Sequence, residues 1–121
     1  MLAAASEPAD TISLDQALAS IAATATERDR LAPRFPADAF AQLRAAGALA
    51  FNAFPGSRRP PAADELALVR SVARADGSVG RIFDGHLNGV ERLAVQGPPS
   101  LRDAELSALV SDEGPLTQTT Y

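Results

Sequence analysis

A helical rhythm, cut at intervals by proline and glycine, constrains this chain more than any other feature of its sequence. Apolar residues recur three and four positions apart, so they gather on one side of a helix with 3.6 residues per turn. No stretch keeps the two-residue alternation of a half-buried strand. The pattern predicts an all-α array of five helices with no β-sheet.

The first helix is expected over 13–31. Leu14, Ala17, Leu18, Ile21, Ala22 and Ala25 form its stripe, Ser13 and Gln16 have capping-box spacing, and Pro33 stops it. Glu27, Arg28, Asp29 and Arg30 read as a solvated last turn. The second is expected over 36–46 with Phe40, Leu43 and Ala46 inward, and Gly47 suits the position after its end. Residues 48–54 are apolar and read as extended, and Pro55-Gly56-Ser57-Arg58-Arg59-Pro60-Pro61 as a loop. The third helix is expected over 61–75. Leu66, Val69, Val72 and Ala73 are its stripe, and Asp64 and Glu65 complement the positive end of its dipole. The fourth covers 78–96, with Asp76 or Ser78 as N-cap, Gly97 beyond its end, and Val79, Ile82, Phe83, His86, Val90 and Leu93 inward. The fifth covers 100–111, with Ser100 and Asp103 in a capping arrangement. Residues 1–11 then read as a flexible N-terminal segment, 12–114 as one helical domain and 115–121 as a disordered tail.

Composition narrows the chemistry. At 121 residues the chain suits one small domain. Hydrophobic residues reach 46%, but alanine supplies much of that and aromatics only 5%, so the core is expected to be thin or shared with another surface. A net charge of −4 argues against a nucleic-acid partner. Every basic residue is arginine, which excludes Schiff-base lysine chemistry and a P-loop. The absence of cysteine excludes disulfides, thiolate metal sites and a cysteine nucleophile. A single histidine excludes a multi-histidine metal site within one chain, and no metal is expected. No apolar run approaches the 18 or so residues of a membrane span. Met1 to Glu7 lack the basic start of a secretory signal, so a cytoplasmic location is expected.

The carboxylates read as capping or solvated groups, since pairs such as Asp64-Glu65 and Asp112-Glu113 do not share a helix face. Arg58-Arg59 reads as a solvated loop tip or as an anion contact. Gly85 and Gly89, four apart on the fourth helix, allow either a closely packed neighbouring helix or the approach of a flat ligand. His86 is the one side chain that titrates near neutrality unperturbed. Its spacing from Val79, Phe83 and Val90 suits a hydrogen-bonded core histidine or a site residue at the edge of a cleft.

The order of motifs resembles the N-terminal α-helical domain of the acyl-CoA dehydrogenase superfamily. Phe35-Pro36, then Leu43-Arg44-Ala45-Ala46-Gly47, then Pro55-Gly56 are similar to its opening. Ala73-Arg74-Ala75-Asp76-Gly77-Ser78-Val79 is similar to its junction between consecutive helices, and Gly85-His86-Leu87 and Gly97 follow in order. The resemblance covers about residues 12–114. Gly85-His86 looks most like the flavin-dependent monooxygenase branch, which includes dibenzothiophene monooxygenase. It implies a flavin cofactor, FAD or FMN, with Phe83, Gly85 and Gly89 near it. For His86 it implies a hydrogen bond to a flavin hydroperoxide or to a polar group of the substrate. It also implies partners: the family's β-domain and C-terminal helical bundle, which this chain does not include, or another subunit, or a homo-oligomer formed through exposed apolar surface. The chain alone is then expected to be inactive. The other reading is a stand-alone helical protein-interaction domain without catalysis.

Overall fold

Asp76 forms the corner on which the helices are arranged. Its extended backbone ends one helix, and its Oδ1 accepts from the Ser78 and Val79 amides to start the next. In the computed structural model, which describes residues 11–30, 33–54 and 59–111, the described residues form six α-helices and no strand. These are α1 (Leu14–Ala23), α2 (Ala25–Arg30), α3 (Ala37–Ala45), α4 (Ala62–Ala75), α5 (Gly77–Gln96) and α6 (Pro99–Ser111), with a 3₁₀ turn at Ala48–Ala50. The flexible segment expected over 1–11, apart from Thr11, and the tail expected over 115–121 lie outside the described residues.

The all-α reading holds, with local corrections. The first expected helix is two. Ser13 and Gln16 form the capping box that starts α1, but at Thr24 the hydroxyl bonds back to the Ser20 and Ile21 carbonyls, and the helix breaks into α1 and α2. The stretch expected as extended turns instead through the 3₁₀ bonds Ala50 N–H to Gly47 and Phe51 N–H to Ala48. Gly47 makes that entry possible, with φ at +79°. On α4 the buried face is Leu68 and Val72, while Leu66 points outward, because Leu68 shares the four-residue row of Val72 and Leu66 does not.

The core has two parts. Ile21, Phe40, Leu43, Leu68, Val72, Val79, Phe83 and Leu87 pack together where α1, α3, α4 and α5 meet. Ala53, Val90, Ala94, Leu106 and Leu109 join the far half of α5 to α6. α4 and α5 approach so closely that a Cβ on Gly80 would lie 2.5 Å from the Ala73 Cα. Close helix packing in this fold is therefore carried by Gly80.

Candidate functional site

α5 sets the site by running through both halves of the core. His86 lies on its inward face between Phe83 and Val90, one of the two buried polar residues among the described residues, and is 1% exposed. Its Nε2 is 2.7 Å from the carbonyl oxygen of Leu49. A carbonyl only accepts, so Nε2 carries the proton and donates, and Nδ1 is the bare nitrogen of a neutral ring. Nδ1 is buried and has no hydrogen-bond partner among the described residues. Phe83 stacks beside it, with ring centroids 6.4 Å apart. Burial pulls the imidazole pKa below its ordinary 6.5, and the Leu49 carbonyl opposes this without offsetting it.

Asn52 holds the same segment from the other direction. It is fully buried, and its Nδ2 donates to the Leu87 carbonyl at 2.9 Å and to Glu65 Oε1 at 3.1 Å. Its Oδ1 is enclosed without a partner among the described residues. Glu65 is thereby drawn partly out of water. Burial raises its pKa above 4.5, and the charge of Glu91 adds to this; Asn52 and Arg59 pull it back, and Asp84 pushes it up again. Arg59 bridges to Glu91 at 2.7 Å with its side chain 21% exposed. It is thus a paired residue closing this corner and not the solvated loop tip expected of it. Arg58 lies outside the described residues.

A separate open groove of about 770 Å³ lies between α2, the 33–38 segment and the start of α5. Arg28 forms one wall, expected in a solvated turn but with its side chain only 12% exposed. Its guanidinium donates to Asp76 Oδ2 and Asp38 Oδ2, both at 2.9 Å, to Thr24 Oγ1 at 2.7 Å, and to the Ile21 carbonyl. With these acceptors in place it serves as a clamp and not as an anion site. Phe35, Pro36, Asp76, Ser78 and Ile82 line the groove too, but His86 does not.

His86 is thus enclosed in the core, and its expected place at the edge of a cleft is corrected: the apolar residues that share its face carry it inward. Gly85 and Gly89 are half-buried on α5, and Phe83 is fully buried. Three residues of this region escape the periodicity reading. Arg28 follows Ile21 by seven positions, on the stripe of α1, and that spacing was a signal. Glu65 and Asn52 gave none, since their pairing joins positions 13 apart through a turn. Among the described residues no three His, Asp or Glu side chains gather to hold a metal ion, and no helix is long and apolar enough to cross a membrane.

Compared with protein-family models, with curated proteins and with solved structures, the chain matches none.

Proposed function

We propose that this chain is the N-terminal helical domain of an acyl-CoA-dehydrogenase-like, flavin-dependent oxidoreductase of monooxygenase type, supplying one wall of the flavin and substrate site. The observation that carries this reading is a convergence. Phe35-Pro36 and Asp76-Gly77-Ser78-Val79, motif segments about 40 residues apart, supply lining residues to a single open groove. The resemblance requires an all-α chain, and the described residues are helical without a strand. The resemblance gives His86 the hydrogen bond to the reacting group and puts Phe83, Gly85 and Gly89 on the cofactor's side; these residues lie outside the groove, and the His86 and Phe83 rings are buried as the chain folds alone.

The residues present suit a wall and not a whole site. The Arg28 guanidinium is already held by protein acceptors, and the His86 ring is enclosed. A ligand covered on one side only forfeits most of the buried area that small-molecule affinity depends on. FAD or FMN added to this chain is therefore expected to bind more weakly than about 1 μM, the affinity equivalent to about −8 kcal/mol. The exposed Leu66, Val95, Leu101 and Val110 offer apolar contacts to a β-domain, a helical bundle or a second subunit.

The test is to isolate the assembly that holds this chain in its own cells and record its absorbance. A stoichiometric flavin spectrum supports the reading, and His86→Ala in that assembly then lowers turnover about 10²-fold. A flavin-free assembly overturns it in favour of an interaction domain.

A further inference from the structure

The groove between α2, the 33–38 segment and the start of α5 joins an apolar surface to an excess of carboxylates. Its apolar part includes Phe35, Pro36 and Ile82. The Phe35 ring rests against Phe40, with centroids 5.0 Å apart, yet the residue stays 42% exposed. Glu27, Asp29, Asp38 and Asp76 line the same groove against two guanidinium groups, Arg28 and Arg34, so the lining carries a net charge of −2. We propose that this groove binds a small organic cation, an ammonium or guanidinium group on an apolar body, with the body against Phe35 and Ile82 and the charge among the carboxylates.

The groups that would attract an anion are largely spent. The Arg28 guanidinium donates to Asp76, Asp38, Thr24 and the Ile21 carbonyl. The Ser78 and Val79 amides at the start of α5 are taken by Asp76 Oδ1. Arg34 is the remaining cation, and it is exposed. The carboxylates are not spent. Glu27 and Asp29 are exposed, and their side chains have no partner among the described residues. Asp38 gives one oxygen to Arg28 and keeps 62% of its side chain exposed. An excess of carboxylates alone is a solvated surface. Here it shares a concave site with an exposed aromatic ring, whose face attracts a cation, and with apolar side chains that an apolar body would remove from water. A volume of about 770 Å³ falls among small-molecule pockets, which favours a small molecule over a protein segment. A phosphate or carboxylate ligand meets repulsion in the same place. The charge of the groove is the same with or without flavin, so this proposal goes beyond the reading above and does not rest on it.

Three probes that share one ring, benzylammonium, benzyl alcohol and phenylacetate, test it in ¹H–¹⁵N chemical-shift titrations of the chain at low ionic strength. Benzylammonium should bind about tenfold more tightly than phenylacetate, with benzyl alcohol between them. The shifts should centre on the amides of Ala25, Phe35, Ala37 and Ile82, which line the groove. In about 1 M NaCl, where charges are screened beyond about 3 Å, the preference should collapse toward the benzyl alcohol value. Glu27→Gln combined with Asp29→Asn, both at exposed positions, should remove most of the preference and leave benzyl alcohol unchanged. Phe35→Ala should weaken all three probes. Equal affinities, a tighter phenylacetate, shifts centred outside the groove, no saturable binding of benzylammonium, or an unchanged preference in the double variant each overturns the proposal. A tetra-arginine peptide that binds the groove where benzylammonium does not overturns it too, and makes a basic protein segment the occupant. A flavin-free assembly overturns the flavin reading and leaves these titrations as they are.

Discussion

Arg28 and Asp76, 48 residues apart in sequence, meet through Nε and Oδ2 at 2.9 Å with only 12% and 10% of their side chains exposed. The pair couples α2 to the α4–α5 corner, and Asp76 caps α5 with its other oxygen. Removing one partner of an ion pair this enclosed leaves the other charge uncompensated. Arg28→Ala is expected to cost about 3 kcal/mol, read by urea denaturation. Asp76→Asn keeps a capping oxygen and should be less damaging than Asp76→Ala, by about 1 kcal/mol. Equal losses for the two Asp76 variants would show that the cap contributes nothing.

Gly80 and Gly77 make opposite predictions on one helix. A methyl group at Gly80 meets the Ala73 backbone at 2.5 Å, whereas at Gly77 nothing lies within 4 Å. Gly80→Ala must push α4 from α5 and should destabilise by about 1–3 kcal/mol. Gly77→Ala should be neutral or stabilising by up to about 1 kcal/mol, since it removes freedom from the unfolded chain. Thermal melts of the two variants decide the matter, and a Gly80→Ala variant as stable as the unsubstituted chain contradicts the close crossing.

Glu65 and His86 give stability opposite dependences on pH, and neither contribution is complete between pH 4.5 and 6.5. The pKa of folded His86 lies below 6.5, so its contribution is complete above pH 6.5 and is lost as pH falls from there through the folded value. The pKa of folded Glu65 lies above 4.5, so its contribution is complete below pH 4.5 and is lost as pH rises through the folded value. Denaturation midpoints across pH 4 to 8 should show both limbs. His86→Gln should remove the loss of stability toward acid below pH 6.5, and Glu65→Gln the gain toward acid. A His86→Gln profile identical to that of the unsubstituted chain would show that His86 is not the acid-sensitive group.

The helices were legible because their signals are local. The Ser13 capping box, the Phe40 and Leu43 face, the left-handed Gly47 and the Asp76 cap each depend on residues within a few positions. The break at Thr24 was not legible, since a back-bonding hydroxyl does not by itself end a helix: Ser71 bonds back to the Ala67 carbonyl inside the continuous α4. The turn at Ala48–Ala50 was missed because an apolar run has no period to separate a strand from a 3₁₀ turn. At the candidate site, the inward face of His86 could be read from its spacing along α5. Its partner Leu49, 37 residues away, could not, because pairing a ring nitrogen with a backbone carbonyl leaves no mark in side-chain chemistry.

Asn52 provides the last prediction, with two readouts from one substitution. Its Nδ2 is the donor to Glu65 and to the Leu87 carbonyl, and its side chain is fully buried. Asn52→Ala deletes both bonds and leaves a small cavity, for an expected loss of about 1–3 kcal/mol. The Leu87 carbonyl sits within α5, so the larger electrostatic consequence falls on Glu65. The Asn52 hydrogen bond lowers the Glu65 pKa against burial and the charge of Glu91. Without that bond the pKa should rise further, because the carboxylate loses a donor that favours its ionised form. Side-chain carboxyl ¹³C shifts followed through a pH titration measure this directly. A Glu65 midpoint that is unchanged or lower in Asn52→Ala would show that Asn52 does not hold the carboxylate.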